Sequence, residues 1–126
     1  HVKALNFNTR ALKIFEELGN KYGIGNSLID LGIILTNKKE YDKSLRSFFH
    51  ALELKDEIGD KHGMRITLLH IGWAYYTIGD YNKALDYYNR KLIIDEKRGN
   101  KNSISNDLGG TKFDAIQLLT QAIVTA

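Results

Sequence analysis

The sequence predicts an all-α chain of stacked antiparallel helix pairs, and three observations carry that expectation. Gly19-Asn20-Lys21, Gly59-Asp60-Lys61 and Gly99-Asn100-Lys101 recur at an offset of 40 residues, the mark of a repeat architecture. Within each unit the apolar residues advance in steps of three and four, the period of an amphipathic helix. The 126 residues contain no proline, and each interior proline would cost a helix roughly 3 kcal/mol.

The same offset pairs Gly23 with Gly63, Leu28 with Leu68, Gly32 with Gly72, Tyr41 with Tyr81, Lys43 with Lys83 and Leu45 with Leu85. It also reaches backwards, from Lys43, Leu45 and Leu52 to Lys3, Leu5 and Leu12. Residues 1–18 therefore align with the second helix of a partial unit. A complete unit spans 19–58. Its first helix runs from about Asn20 to Asn37 on Ile24, Leu28, Leu31 and Leu35. Its second runs from about Tyr41 to Ile58 on Tyr41, Leu45, Phe48, Leu52 and Leu54. The next unit, 59–98, repeats both stripes as Leu68, Ile71, Tyr75 and Ile78, then Tyr81, Leu85, Tyr88 and Leu92. These stripes are the expected core.

The punctuation agrees. Gly19, Gly59 and Gly99 stand where a second helix should end, since glycine readily takes the left-handed conformation of a helix terminus. Asn20, Asp60 and Asn100 follow as N-caps. Gly79-Asp80 marks the turn inside the later unit, whereas the earlier one has Lys38-Lys39-Glu40, without glycine. A last partial repeat begins at Gly99, follows the pattern to about Leu108 and is interrupted by Gly109-Gly110. Residues 111–126 then carry Phe113, Ile116, Leu119 and Ile123 at helical spacing. Three readings of this tail stand: a helix capping the array, a helix docking on a second copy, or a segment disordered in isolation. The whole chain, 1–126, reads as one domain, and its start at His1 without a methionine reads as a piece of a longer protein.

Composition narrows the functional classes. Hydrophobic residues at 43% suffice for a packed core. The absence of cysteine excludes disulfides and thiolate metal sites and fits a cytoplasmic location. No apolar run approaches the ~20 residues of a membrane helix, and no secretory signal is visible. His1, His50, His62 and His70 lack the i, i+4 spacing of a metal pair. Ser27 and Ser44 have no histidine and carboxylate at a recognisable spacing. Gly23-Ile24-Gly25 lacks the strand and third glycine of a dinucleotide loop. Glu16-Glu17, Glu53, Asp56-Glu57 and Asp95-Glu96 alternate with lysines and read as solvated outer faces. No catalytic residue, metal or cofactor is expected. The net charge of +3 is no nucleic-acid footprint. Lys97-Arg98, Lys101 and Lys112, with Tyr75, Tyr76, Tyr87 and Tyr88, make nucleic acid a disfavoured alternative.

The residues resemble the tetratricopeptide repeat. That pattern has a large residue, then Leu-Gly, then Tyr on the first helix, and Ala, then an aromatic, then a small residue on the second. Here the earlier unit offers Leu28, Leu31-Gly32, Leu35, Tyr41, Ser44, Phe48 and Ala51. The later one offers Leu68, Ile71-Gly72, Tyr75, Tyr81, Ala84, Tyr88 and, less well, Lys91. The family's terminal proline is absent, with Asp56 and Glu96 near its place, and the period is 40 rather than about 34. This longer variant is similar to the repeats of kinesin light chains and of regulatory regions in bacterial signalling proteins.

The resemblance implies a right-handed superhelix, an α-solenoid, that binds a peptide or protein on its concave face. In the family the first helix of each unit lines that face. Carried over by position, this implicates Asn26, Ile29, Asp30, Ile33, Thr36 and Asn37, and then Ile66, Leu69, His70, Trp73, Tyr76 and Thr77. Trp73 and Tyr76 are the expected anchors, with His70 and Asp30 making polar contacts. The alternative is that these residues pack between units or beneath the tail. The lysine–asparagine clamp by which some members hold a C-terminal carboxylate is missing, since Ile29, Leu69, Ile33 and Trp73 stand at the comparable positions. The implied role is a scaffold or adaptor within a larger regulatory protein. A self-assembling array of open-ended units is the competing role.

Overall fold

The computed structural model describes residues 2–98. They form α1 (Val2–Leu18), α2 (Lys21–Asn37), α3 (Tyr41–Glu57), α4 (Lys61–Ile78) and α5 (Tyr81–Arg98). Each helix packs on the next in sequence order, and α2 also touches α4. The tail and the last partial repeat lie outside the described residues.

The helix ends are specified by the residues expected to do so. Asn20 Oδ1 accepts from the Gly23 N–H at 2.9 Å, and Asp60 Oδ1 accepts from the Gly63 N–H at 2.9 Å. Each helix from α1 to α4 closes with the same wrapped hydrogen bond, at steps of 20 residues. The N–H groups of Asn20, Glu40, Asp60 and Asp80 bond to the carbonyls of Phe15, Leu35, Lys55 and Tyr75, which satisfies carbonyls the helix leaves orphaned. Gly19, Gly59 and Gly79 take positive φ there, and Lys39 does so at 65°. The glycine-free turn therefore has the same shape as its relative, reached at a steric cost.

Inside each unit a glycine admits an aromatic ring. A Cβ on Gly32 would collide with the Phe48 ring, and one on Gly72 with the Tyr88 ring. Phe48, Ala51, Ile71, Ala74 and Ala84 are fully or almost fully buried. Thr36 and Ser44 share a buried 2.8 Å hydrogen bond, and the Thr36 hydroxyl also contacts the Gly32 carbonyl. The core differs from the expected stripe at two positions. Ile78, the last residue of α4, is 44% exposed. Ile29 is buried at 7%, because α2 is flanked on successive sides by α1, α3 and α4.

Where the two units meet, an ion pair is buried beside the apolar contacts. Lys55, in the last turn of α3, is fully buried. Its stem fills the space beside Gly25 and Gly63. Its Nζ donates to Asn26 Oδ1 at 2.7 Å, lies 3.0 Å from Asp60 Oδ2, and sits 4.0 Å from the Tyr22 ring centroid. The Gly63 N–H, with Lys55 behind it, holds the Asp60 carboxyl below its usual range. At the equivalent positions of α4 and α5, inside the later unit, the signs are exchanged. Asp95 occupies the position of Lys55, and Arg65 that of Gly25. Arg65 Nη1 reaches Asp95 Oδ1 at 3.3 Å, and Lys91 Nζ reaches Asp95 Oδ2 at 2.8 Å. Asp95 is thus no solvated carboxylate, contrary to expectation. Lys91, the poor match to the small residue at Ala51, is there to pair with it.

Either Lys55→Asp or Gly25→Arg alone should destabilise the fold by about 3 kcal/mol, because each leaves a buried charge unpaired. Combining them places an Arg–Asp pair between α2 and α3, as Arg65 and Asp95 pair between α4 and α5. Urea denaturation should show the double variant losing less than the sum of the single losses.

Candidate functional site

The α2–α4 face is built from first-helix side chains one step round from those on the core stripe, as helical geometry requires. It holds two recesses. One, of about 120 Å³, is lined by Ile33, Thr36 and Asn37 of α2, Phe48 of α3, and His70 and Trp73 of α4. The other, of about 390 Å³, is lined by Ala4, Phe7 and Asn8 of α1, and Asp30, Ile33 and Ile34 of α2. Ile33 belongs to both, so the recesses adjoin.

The repeat explains their difference in size. Asn8 stands where Phe48 does, Asp30 where His70 does, and Ile33 where Trp73 does. In the smaller recess the last turn of α2 closes one side. No described helix does this for the larger one. Asn8 is buried and donates from Nδ2 to the Ser27 carbonyl at 3.0 Å, a polar substitute for the aromatic ring found one and two repeats later.

The side chains at the small recess are held in place by stacking. The His70 ring lies parallel to Phe48, centroids 5.7 Å apart and planes 8° apart. Trp73 stacks on Tyr76 at 5.3 Å and 18°, and Tyr76 meets Tyr81 at 5.7 Å. Trp73 nevertheless keeps 45% of its surface exposed. An indole so oriented loses little side-chain entropy when a ligand covers it.

Asp30 and His70 sense one another across the face. Partial burial raises the Asp30 carboxyl above its ordinary value, and His70 pulls it partly back. Burial lowers His70, with Asp30 opposing. His70 is therefore neutral at pH 7, and Asp30 has no hydrogen bond or ion pair among the described residues to balance its charge.

The structure brings together Asp30, Ile33, Asn37, His70 and Trp73 at the two recesses, with Tyr76 behind the indole. Leu69 and Thr77 are exposed nearby, and the Thr77 hydroxyl is turned back to the Ala74 carbonyl. Three expected positions are otherwise engaged. Asn26 is held by Lys55, Ile29 is buried in the core, and Ile66 packs against it. Thr36 lines the recess, but its hydroxyl is bonded to Ser44. Sequence reasoning missed Phe48 as the floor of the recess, having assigned it wholly to the core. It also missed Asn8, although a polar residue in register with Phe48 and Tyr88 was a usable signal.

The lowered His70 value fixes a pH dependence. The folded state binds the imidazole proton less readily than the unfolded chain does. The stabilisation is thus present above the ordinary histidine pKa and lost as pH falls through the folded value. Thermal melts should show Tm falling between pH 7 and 5, and His70→Gln should remove that part of the slope.

A family model described as a tetratricopeptide repeat matches residues 24–97. No curated protein matches the chain.

Proposed function

Because the chain belongs to the tetratricopeptide-repeat family, whose repeats generally serve as protein-interaction modules, we propose that it binds a protein or peptide on the α2–α4 face as a non-enzymatic scaffold element. The observation that carries this reading is Trp73, half exposed yet stacked in place at the mouth of a recess. Exposed, pre-ordered aromatic residues at the edge of a pocket are the usual energetic centres of interfaces. A larger regulatory protein working in the cytoplasm is the setting that suits such an element. The cysteine-free composition supports this, and no described helix is long and apolar enough to cross a membrane.

Trp73→Ala should reduce capture of partner proteins from a lysate at least tenfold in a quantitative pull-down, on the order of a lost interface anchor. Circular dichroism should be unchanged. Arg90→Ala, on an exposed face of α5, should leave capture intact. Equal capture by wild type and Trp73→Ala would exclude this face.

A second reading rests on α1. Ala4, Phe7, Ala11, Ile14 and Leu18 form a continuous stripe, and Phe7, Ile14 and Leu18 are 77%, 54% and 71% exposed. The equivalent Ser44, Ser47 and Ala51 of α3 are buried between α2 and α4. This stripe favours packing against another helix, including that of a second copy. Light scattering should then show concentration-dependent association that Phe7→Glu abolishes, and a monomer at every concentration would rule self-assembly out.

A further inference from the structure

The α2–α4 face carries an asymmetry of charge that the repeat itself does not require. Asp30 and His70 occupy equivalent positions, and the first is an anion where the second is a neutral ring. None of the residues lining the two recesses is a lysine or arginine. The buried cations Lys55 and Lys91 are committed to Asp60 and Asp95. The surface of a chain with net charge +3 is thus locally acidic and apolar at these two recesses. The recess under Trp73 is floored by Phe48 and walled by Ile33, an environment for an uncharged side chain.

We propose that this face selects an extended peptide segment in which an aliphatic or aromatic side chain enters the recess under Trp73, while a lysine or arginine two residues away pairs with Asp30. The proposal rests on the peptide-binding reading above and adds the chemistry of the ligand.

The spacing follows from the helix. Asp30 lies about five residues before the middle of the span Ile33–Asn37 that walls the recess. At 1.5 Å per residue this is on the order of 7 Å along α2. An extended chain covers that distance in about two residues. Asn37 is exposed at the far side of the recess, where its amide can bond the peptide backbone.

Selection of phage-displayed random dodecapeptides on the immobilised full chain tests this. Wild type should enrich a lysine or arginine two positions from an apolar residue. Asp30→Lys, a substitution at an exposed site, should replace the basic preference with an acidic one and keep the apolar preference. Trp73→Ala should lose the apolar preference. In fluorescence anisotropy, changing the basic residue of the best peptide to alanine should weaken binding roughly tenfold, the scale of one charge-assisted contact. That loss should shrink as salt is added. Enrichment of apolar peptides with no basic preference, or an unchanged preference in Asp30→Lys, would overturn the proposal and leave the binding face standing. Failure of wild type to enrich any peptide would overturn both.

Discussion

The contact between the first-helix glycine and the second-helix ring, Gly32 with Phe48 and Gly72 with Tyr88, determines how close the two helices of a unit can lie. With no Cβ in the way, the ring rests on the helix backbone. The small residues that follow from this approach, Ser44, Ala51 and Ala84, are buried completely. Phe48 presents its other surface to His70 of the next unit. One ring therefore joins the interior of its own unit, the junction with the following unit, and the floor of the recess under Trp73. Displacing it would disturb all three, since packed interiors have few voids that could absorb the shift.

The junctions between units obey a looser rule. Backbone geometry repeats faithfully, as the hydrogen bonds at 20-residue steps attest, but the side chains that fill the junctions do not. The junction of α1 with α2 is filled by the Phe15 ring against Gly23, and that of α3 with α4 by Lys55 beside Gly25 and Gly63. Lys55 lies within reach of Asp60, as Asp95 lies within reach of Arg65 and Lys91 inside the later unit, and this is the condition that matters in a medium of low polarity. Such pairs are directional in a way apolar contacts are not, and they suit a junction where a slip by one residue would strand a charge.

The α2–α4 face inherits its rigidity from this frame. Trp73, His70 and Tyr76 are exposed or half-buried, yet each ring is fixed by another that belongs to the core or borders it. The unpaired carboxylate of Asp30 and the neutral ring of His70 then give the face a polarity along the array. A ligand lying across it would meet an anion at one end and an indole at the other.

Much of this was legible in the residues alone. The offset of 40, the helical stripes, the caps at Asn20 and Asp60 and the glycine–aromatic pairs are all local or periodic features, and they determined the helices and their order. The burial of Ile29, the capture of Asn26 by Lys55, the exchange of Lys55 for Asp95 and the use of Phe48 as a recess floor were decided only in three dimensions. Each depends on which side chain arrives from a helix 20 or more residues away. Periodicity shows that a position faces a neighbour, but the space and charge left by that neighbour, such as the gap beside Gly25 and Gly63, come into being only when the helices pack.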